Sequence, residues 1–259
     1  MTTQPSRASL AIAMIAIGLA SLIYGNDSFL WYTIPDMPGS ALLVYLCGLV
    51  ALAAGIGLFL PPYLLRACRT LVVYLGLWLV VLKLTTLLAS PGEMMRWESC
   101  GETMAMLAGA LCLLAVHAGE WEKRRVPFLV GERGIRIARY LAVAALVTFG
   151  LAHFAYADRT ASLVPRWLPF PHFWVYLTGI ANIAAAAGML LGFYPRLAAT
   201  LAAAMLWAFT LLVWIPRVAS APSDQGNWTE WILSAGIAAG AWLVAETWRG
   251  EPWKVRRSF

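Results

Sequence analysis

Long apolar stretches alternate along this chain with short clusters of proline, glycine and charge. Eight such stretches can be read, at 9–25, 40–60, 67–89, 101–118, 136–157, 171–192, 195–215 and 228–247. Each has about the length needed to cross a hydrocarbon core of ~30 Å as a helix. Between them stand Pro61-Pro62, Ser90-Pro91-Gly92 and Pro222-Ser223-Asp224, and irregular backbone of that kind cannot face lipid. The stretches are rich in Leu and Ala and lack period-two alternation, which selects helices over barrel strands. The pattern predicts an all-α polytopic membrane protein with eight transmembrane helices.

Composition supports the pattern. Of 259 residues, 61% are apolar and 12% charged, against ~45–50% and ~25% in soluble domains. A soluble fold with so few polar residues could not cover its surface, and disorder, nucleic-acid binding and a disulfide-stapled fold are excluded for the whole chain. The net charge of +6 becomes informative once the cations are placed. Fourteen Lys and Arg fall on one side of the predicted spans, four (Arg96, Arg159, Arg166, Arg217) fall on the other, and Lys83 lies inside a span. The positive-inside rule then puts both termini and the 120–139 connector in the cytoplasm. The partner implied by the basic excess is the lipid bilayer and its anionic inner leaflet, not nucleic acid. Arg7 followed by the first apolar run also resembles a cleavable signal peptide. The internal repeat, in which this segment pairs with a later helix, favours a retained span.

That repeat appears at an offset of 131. Tyr45, Gly48, Gly57 and Tyr63 fall on Tyr176, Gly179, Gly188 and Tyr194, while Pro91, Trp97 and Gly109 fall on Pro222, Trp228 and Gly240. One further residue of shift puts Gly18-Leu19-Ala20 on Gly150-Leu151-Ala152. Apolar composition alone matches Leu and Ala, but less readily Gly, Pro, Tyr and Trp. The reading is two tandem four-helix-bundle repeats, 1–119 and 136–259, joined by a basic connector at 120–135. Both copies enter the membrane in the same direction, as parallel repeats do.

The second half carries Gly150-Leu151-Ala152-His153-Phe154, then Leu163-Val164-Pro165-Arg166-Trp167-Leu168-Pro169, then Leu177-Thr178-Gly179-Ile180. Over about residues 140–247 it resembles the DoxX-like family of bacterial integral membrane proteins. The first half departs from that pattern, with Ser21 opposite His153 and no Val-Pro-x-Trp-Leu-Pro segment. The resemblance implies a four-helix unit in the bacterial inner membrane and an association with membrane redox or stress physiology. Some relatives are subunits of a thiosulfate:quinone oxidoreductase and many have no assigned activity, so likeness of fold does not assign chemistry.

Candidate chemistry gathers toward the predicted outer face, where Tyr24, Asn26, Asp27 and Trp31 also lie. Ionisable groups inside a membrane are costly and tend to face a bundle interior or a wet cavity. His153, near the outer end of the fifth span with Asp158 beyond it, offers an imidazole to a quinol hydroxyl or a proton path. The bland alternative is a histidine satisfied by a neighbouring helix. Lys83 can snorkel outward or pair with Glu98 or Glu102, which share a helix face. His172 opens the sixth span, and Asn182, near its middle, needs an amide partner from another helix or a ligand. Trp167 fits either an interfacial aromatic belt or a flat ring-binding pocket.

No metal site is expected, since no His-x-x-x-His or Cys/His cluster occurs. Cys47, Cys68, Cys100 and Cys112 form no Cys-x-x-Cys pair, which disfavours a thiol relay. Cys47 and Cys100 fall toward the same face and leave a bridge between them open. The expected ligand is a quinone or another lipophilic small molecule in an outward-opening pocket near His153, Lys83 and Glu102. Two other classes stay open: a small-molecule or ion transporter with its site at the repeat interface, and a structural partner of another membrane protein.

Overall fold

The computed structural model describes residues 4–25 and 39–253, and these are helical with no strand. Asn26, Asp27 and Trp31 lie outside the described residues. Eight long helices follow the eight apolar stretches. They are α1 (Gln4–Tyr24), α2 (Ser40–Phe59), α3 (Pro61–Ala89), α4 (Met94–His117), α5 (Gly131–Ala155), α6 (Pro171–Leu190), α7 (Pro195–Ser220) and α8 (Gln225–Glu246). The first seven are long and apolar enough to cross a membrane. The eighth, 22 residues long, packs among α1, α4 and α7. Much of its surface therefore meets protein.

Several helices run past their apolar stretches. α4 starts at Met94 and takes in Arg96 and Glu98, and α5 starts at Gly131 and takes in Glu132 and Arg133. Backbone hydrogen bonding continues through charged side chains whose heads can reach the headgroup layer.

α1, α4, α5 and α8 form the centre, through contacts of α1 with α8, α8 with α4, and α4 with α5. α2 and α3 flank one side of it, α6 and α7 the other. In α4, 89% of the apolar window is buried, so this helix can carry carboxylates away from lipid. Where α4 crosses α8, a Cβ on Gly109 would stand 2.6 Å from the Cα of Gly240. The two backbones meet with no side chain between them. The α1–α2 and α5–α6 crossings resemble one another: a Cβ on Gly18 would lie 2.6 Å from the Gly48 carbonyl oxygen, and one on Gly150 would lie 2.9 Å from that of Gly179.

Two of the outer helices widen into π-helical turns, at Trp78–Lys83 in α3 and Thr210–Trp214 in α7. Just beyond the first, Thr85 Oγ1 donates to the Val81 carbonyl at 2.6 Å. At the matching place in α7 stands Pro216, which has no N–H for the Leu212 carbonyl. In both helices something other than the ordinary bonding occurs one turn past the bulge, a recognised setting for π turns and kinks. The first π turn ends on Lys83.

The end of the bundle at Gln4 and Trp253, the first and last described residues, is basic, and side chains lock it. Glu122, in the short helix Glu120–Arg125, is fully buried, pairs with Arg69 Nε, and accepts the Gly119 N–H at 3.0 Å. Arg139 donates to Thr247 Oγ1 at 2.9 Å and lies over the Trp248 ring at 4.0 Å. Ser6 Oγ donates to Glu246 at 2.7 Å, joining α1 to α8.

Candidate functional site

The eight candidate residues fall in three places. At the distal end of α4, which packs against α3 on one side and α8 on another, Lys83 is 2% exposed and its Nζ donates to Ser99 Oγ at 2.7 Å. Among the described residues it makes no ion pair with Glu98 or Glu102. Ser99 lies between those two on α4 and reaches the ammonium first. Glu102 is 8% exposed, and its Oε2 has no hydrogen-bond partner among the described residues. Glu98 of α4 and Glu230 of α8 lie close enough to Glu102 to repel it, while the Arg159 charge attracts both. This end of the bundle thus holds three carboxylates, one buried ammonium and one guanidinium on both sides of α4.

The second place is the interior of the bundle made by α5 to α8. His153 Nδ1 bonds the Phe149 carbonyl oxygen at 2.7 Å. A carbonyl only accepts, so Nδ1 carries the proton, and in its neutral form the ring presents Nε2 as an acceptor. The ring stacks on Phe209 at 6.0 Å. The His153 Cβ lies 3.0 Å from where a Gly179 Cβ would stand, which brings it against α6 one turn from Asn182. Asn182 is fully buried. Its Nδ2 donates to the Thr178 carbonyl at 3.0 Å, and its Oδ1 has no partner among the described residues. Thr210 and Ser234 share a 2.8 Å hydroxyl bond between α7 and α8 in the same bundle. A cavity of about 20 Å³ lies toward its basic end, walled mainly by alanines, Leu146, Phe149, Met189 and Leu206. That is room for about one water.

The third place is the distal rim. His172 Nε2 and Asp158 Oδ1 meet at 2.9 Å, both exposed, and Trp167 is exposed on the turn before α6. His153 contacts Phe149 and Phe209, and nothing in the described residues links it to Lys83, Glu98 or Glu102. The expectation of one pocket shared by His153, Lys83 and Glu102 is therefore divided between two neighbouring seams.

No cluster of three or more His, Cys, Asp or Glu suited to a metal occurs among the described residues. Cys47 and Cys100 are free thiols.

Sequence reasoning missed a groove at the basic end between α7 and α8, with Ser9 of α1 at its edge. It has a volume of about 560 Å³, and Arg196, Glu246, Arg249, Trp207, Trp242 and Trp253 are among its lining. Its residues come from three helices and the segment after α8, and no spacing along the chain announces them. The arginines read only as topogenic charge.

A family model described as a domain of unknown function (DUF8561) matches residues 141–249. Those residues run from the third turn of α5 to just past the end of α8. No curated protein and no solved structure matches the chain.

Proposed function

We propose that this chain is an eight-span protein of the bacterial inner membrane with both termini in the cytoplasm, built from two tandem DoxX-like four-helix units. Support for the duplication comes from the paired glycine crossings, the paired π turns and a family match about one unit long. The eighth span is α8, a helix of 22 residues, or about 33 Å at 1.5 Å per residue. Orientation rests on fourteen cations against four.

Its function on this reading is that of an accessory in membrane redox or stress physiology that binds a lipophilic molecule of the quinone class. The observation that carries it is Asn182, whose buried amide oxygen lacks a donor beside a histidine that presents its free ring nitrogen as an acceptor. Two acceptors in an apolar bundle favour a hydroxyl-bearing partner, the reduced quinol, over a carbonyl-only one. The adjacent cavity holds about one water, so ring binding requires α6 or α7 to yield.

The test is organic extraction of gently solubilised protein, with identification of whatever is bound. A quinone or quinol that is retained by the natural protein, and lost from folded His153→Ala and Asn182→Leu variants, supports the reading. Retention that is unchanged in both variants, or no isoprenoid in any preparation, sinks it.

A further inference from the structure

The α7–α8 groove has the shape and charge of a lipid site. From Arg196 to Leu211 it follows α7 for 15 residues, about 22 Å at 1.5 Å per residue. That path runs from the basic end to near mid-membrane. Its inner part is apolar, with Ala203, Ala204 and Leu211 beside the edge-to-face pair of Trp207 and Trp242 at 6.2 Å. Ala204 and Leu211 are exposed, so this part opens sideways toward the hydrocarbon.

The mouth is cationic. Arg196 Nη1 donates to the Glu251 carbonyl oxygen and its guanidinium lies 3.9 Å over the Trp253 ring, which fixes the head at the opening. Arg249 Nη2 donates to Glu246 Oε1 at 3.1 Å, while Ser6 occupies the other oxygen of that carboxylate. Each guanidinium therefore keeps N–H donors that meet no acceptor among the described residues. Deeper in, the Trp207 indole N–H is buried without an acceptor among the described residues. An oxygen-bearing ligand would complete both sets of donors.

We propose that this groove binds one phospholipid with an anionic headgroup, taken laterally from the leaflet on the side of the termini. The phosphate sits between Arg196 and Arg249, an acyl chain lies along α7, and an ester oxygen accepts from Trp207. Two guanidiniums against one partnered carboxylate give the mouth its charge complementarity, and arginine forks match phosphate geometry. Matching positions in the first half are Leu65 for Arg196, Ala118 for Arg249 and Gly76 for Trp207, so the site belongs to one half. It depends on membrane insertion and not on the quinol reading.

Delipidated protein is offered equal phosphatidylglycerol and phosphatidylcholine with the same acyl chains, and native mass spectrometry counts what remains bound. The natural chain is expected to hold one phosphatidylglycerol with a preference of about tenfold, since basic residues near the membrane surface favour anionic lipid. The Arg196→Gln/Arg249→Gln pair brings the ratio near one. Arg196→Lys/Arg249→Lys keeps a preference and covers the case in which the Gln pair fails to fold. Trp207→Phe weakens both lipids and leaves the ratio alone. Arg217→Gln, at the distal end, changes nothing. Equal retention by the natural chain overturns the proposal, as does an undiminished preference in the folded Gln pair. Displacement by glycerol phosphate at comparable concentration also overturns it, because that marks a soluble-anion site.

Discussion

The seam between α3 and α4 and the seam between α7 and α8 are built on the same spacing, yet they hold their charge at opposite ends. In the first, Lys83 and Glu102 are buried at the distal end, and the basic end is shut by Glu122 against Arg69. In the second, Trp214 and Leu233 occupy the positions of Lys83 and Glu102. Its basic end stands open around Arg196 and Arg249. The difference teaches that neither the widened turn nor the central helix determines where polarity goes. Closure does: a charge is buried where a second helix covers it, and a groove remains where no buried carboxylate stands among the described residues after the fourth helix. Glu122 is that carboxylate in the first half. Trp253, at the corresponding position of the second, lies 47% exposed over Arg196.

The largest effect is expected where the two halves meet. Gly240→Val drives a side chain into the backbone of α4 at Ala105. It should cost about 3 kcal/mol, or roughly 10 °C in thermal unfolding, since overpacking against backbone cannot relax. A milder loss from Gly76→Val, where open space surrounds the glycine, would show that the seam itself is responsible.

Next in size is the exchange of the two distal residues. Lys83→Met leaves Ser99 and Glu102 without their buried cation and should cost about 1–3 kcal/mol. Adding Glu102→Gln should recover part of that loss, giving a coupling energy in a double-mutant cycle. Trp214→Lys should also destabilise, because it exchanges a large indole for an ammonium where Leu233 takes the place of Glu102. Independent, additive losses at Lys83 and Glu102 would dissolve the contrast between the seams.

The closure of the first seam is pH-sensitive. Burial alone would raise the Glu122 carboxyl, but the hydrogen bonds from Arg69 and the Gly119 N–H, with the attraction of the guanidinium, bring it below its ordinary value of 4.5. A lowered folded value means stability that is fully present above the unfolded value and lost as pH falls through the folded one. The unfolding temperatures of the natural chain and Glu122→Gln should differ by a constant amount above about pH 5, and converge as the medium is acidified below the ordinary carboxylate range. A gap that widens on acidification contradicts the assignment. The smallest expected effect is in the second bundle, where Thr210→Val removes the bond to Ser234 and should cost about 1 kcal/mol. Ser234→Ala on top of it should add little.

Much of this architecture is legible in the sequence. Apolar length locates α1 to α7, and Pro and Gly clusters mark their connections. Helix ends are less legible, because α4 continues through Arg96 and Glu98 where apolarity stops but hydrogen bonding does not. The π turns carry no composition of their own, and Thr85 and Pro216 look unrelated until both are placed opposite a carbonyl four residues back. Among candidate residues, Lys83, Glu102 and Asn182 stand out because charge or amide inside an apolar run is rare, and all three prove to be buried. Their partners do not stand out. Ser99 is an ordinary residue on the adjoining helix, and the division of His153 from Lys83 depends on how α4 and α5 turn toward one another.

The contact between Gly109 and Gly240 has a mechanical consequence. Two helices that touch backbone to backbone have no side chains to act as a compliant layer. Sliding one along the other lifts backbone over backbone, while splaying either end about the contact disturbs little there. The crossing therefore acts as a fulcrum for the two halves, and any opening between them must be a scissoring at the ends, with the middle of the seam held shut.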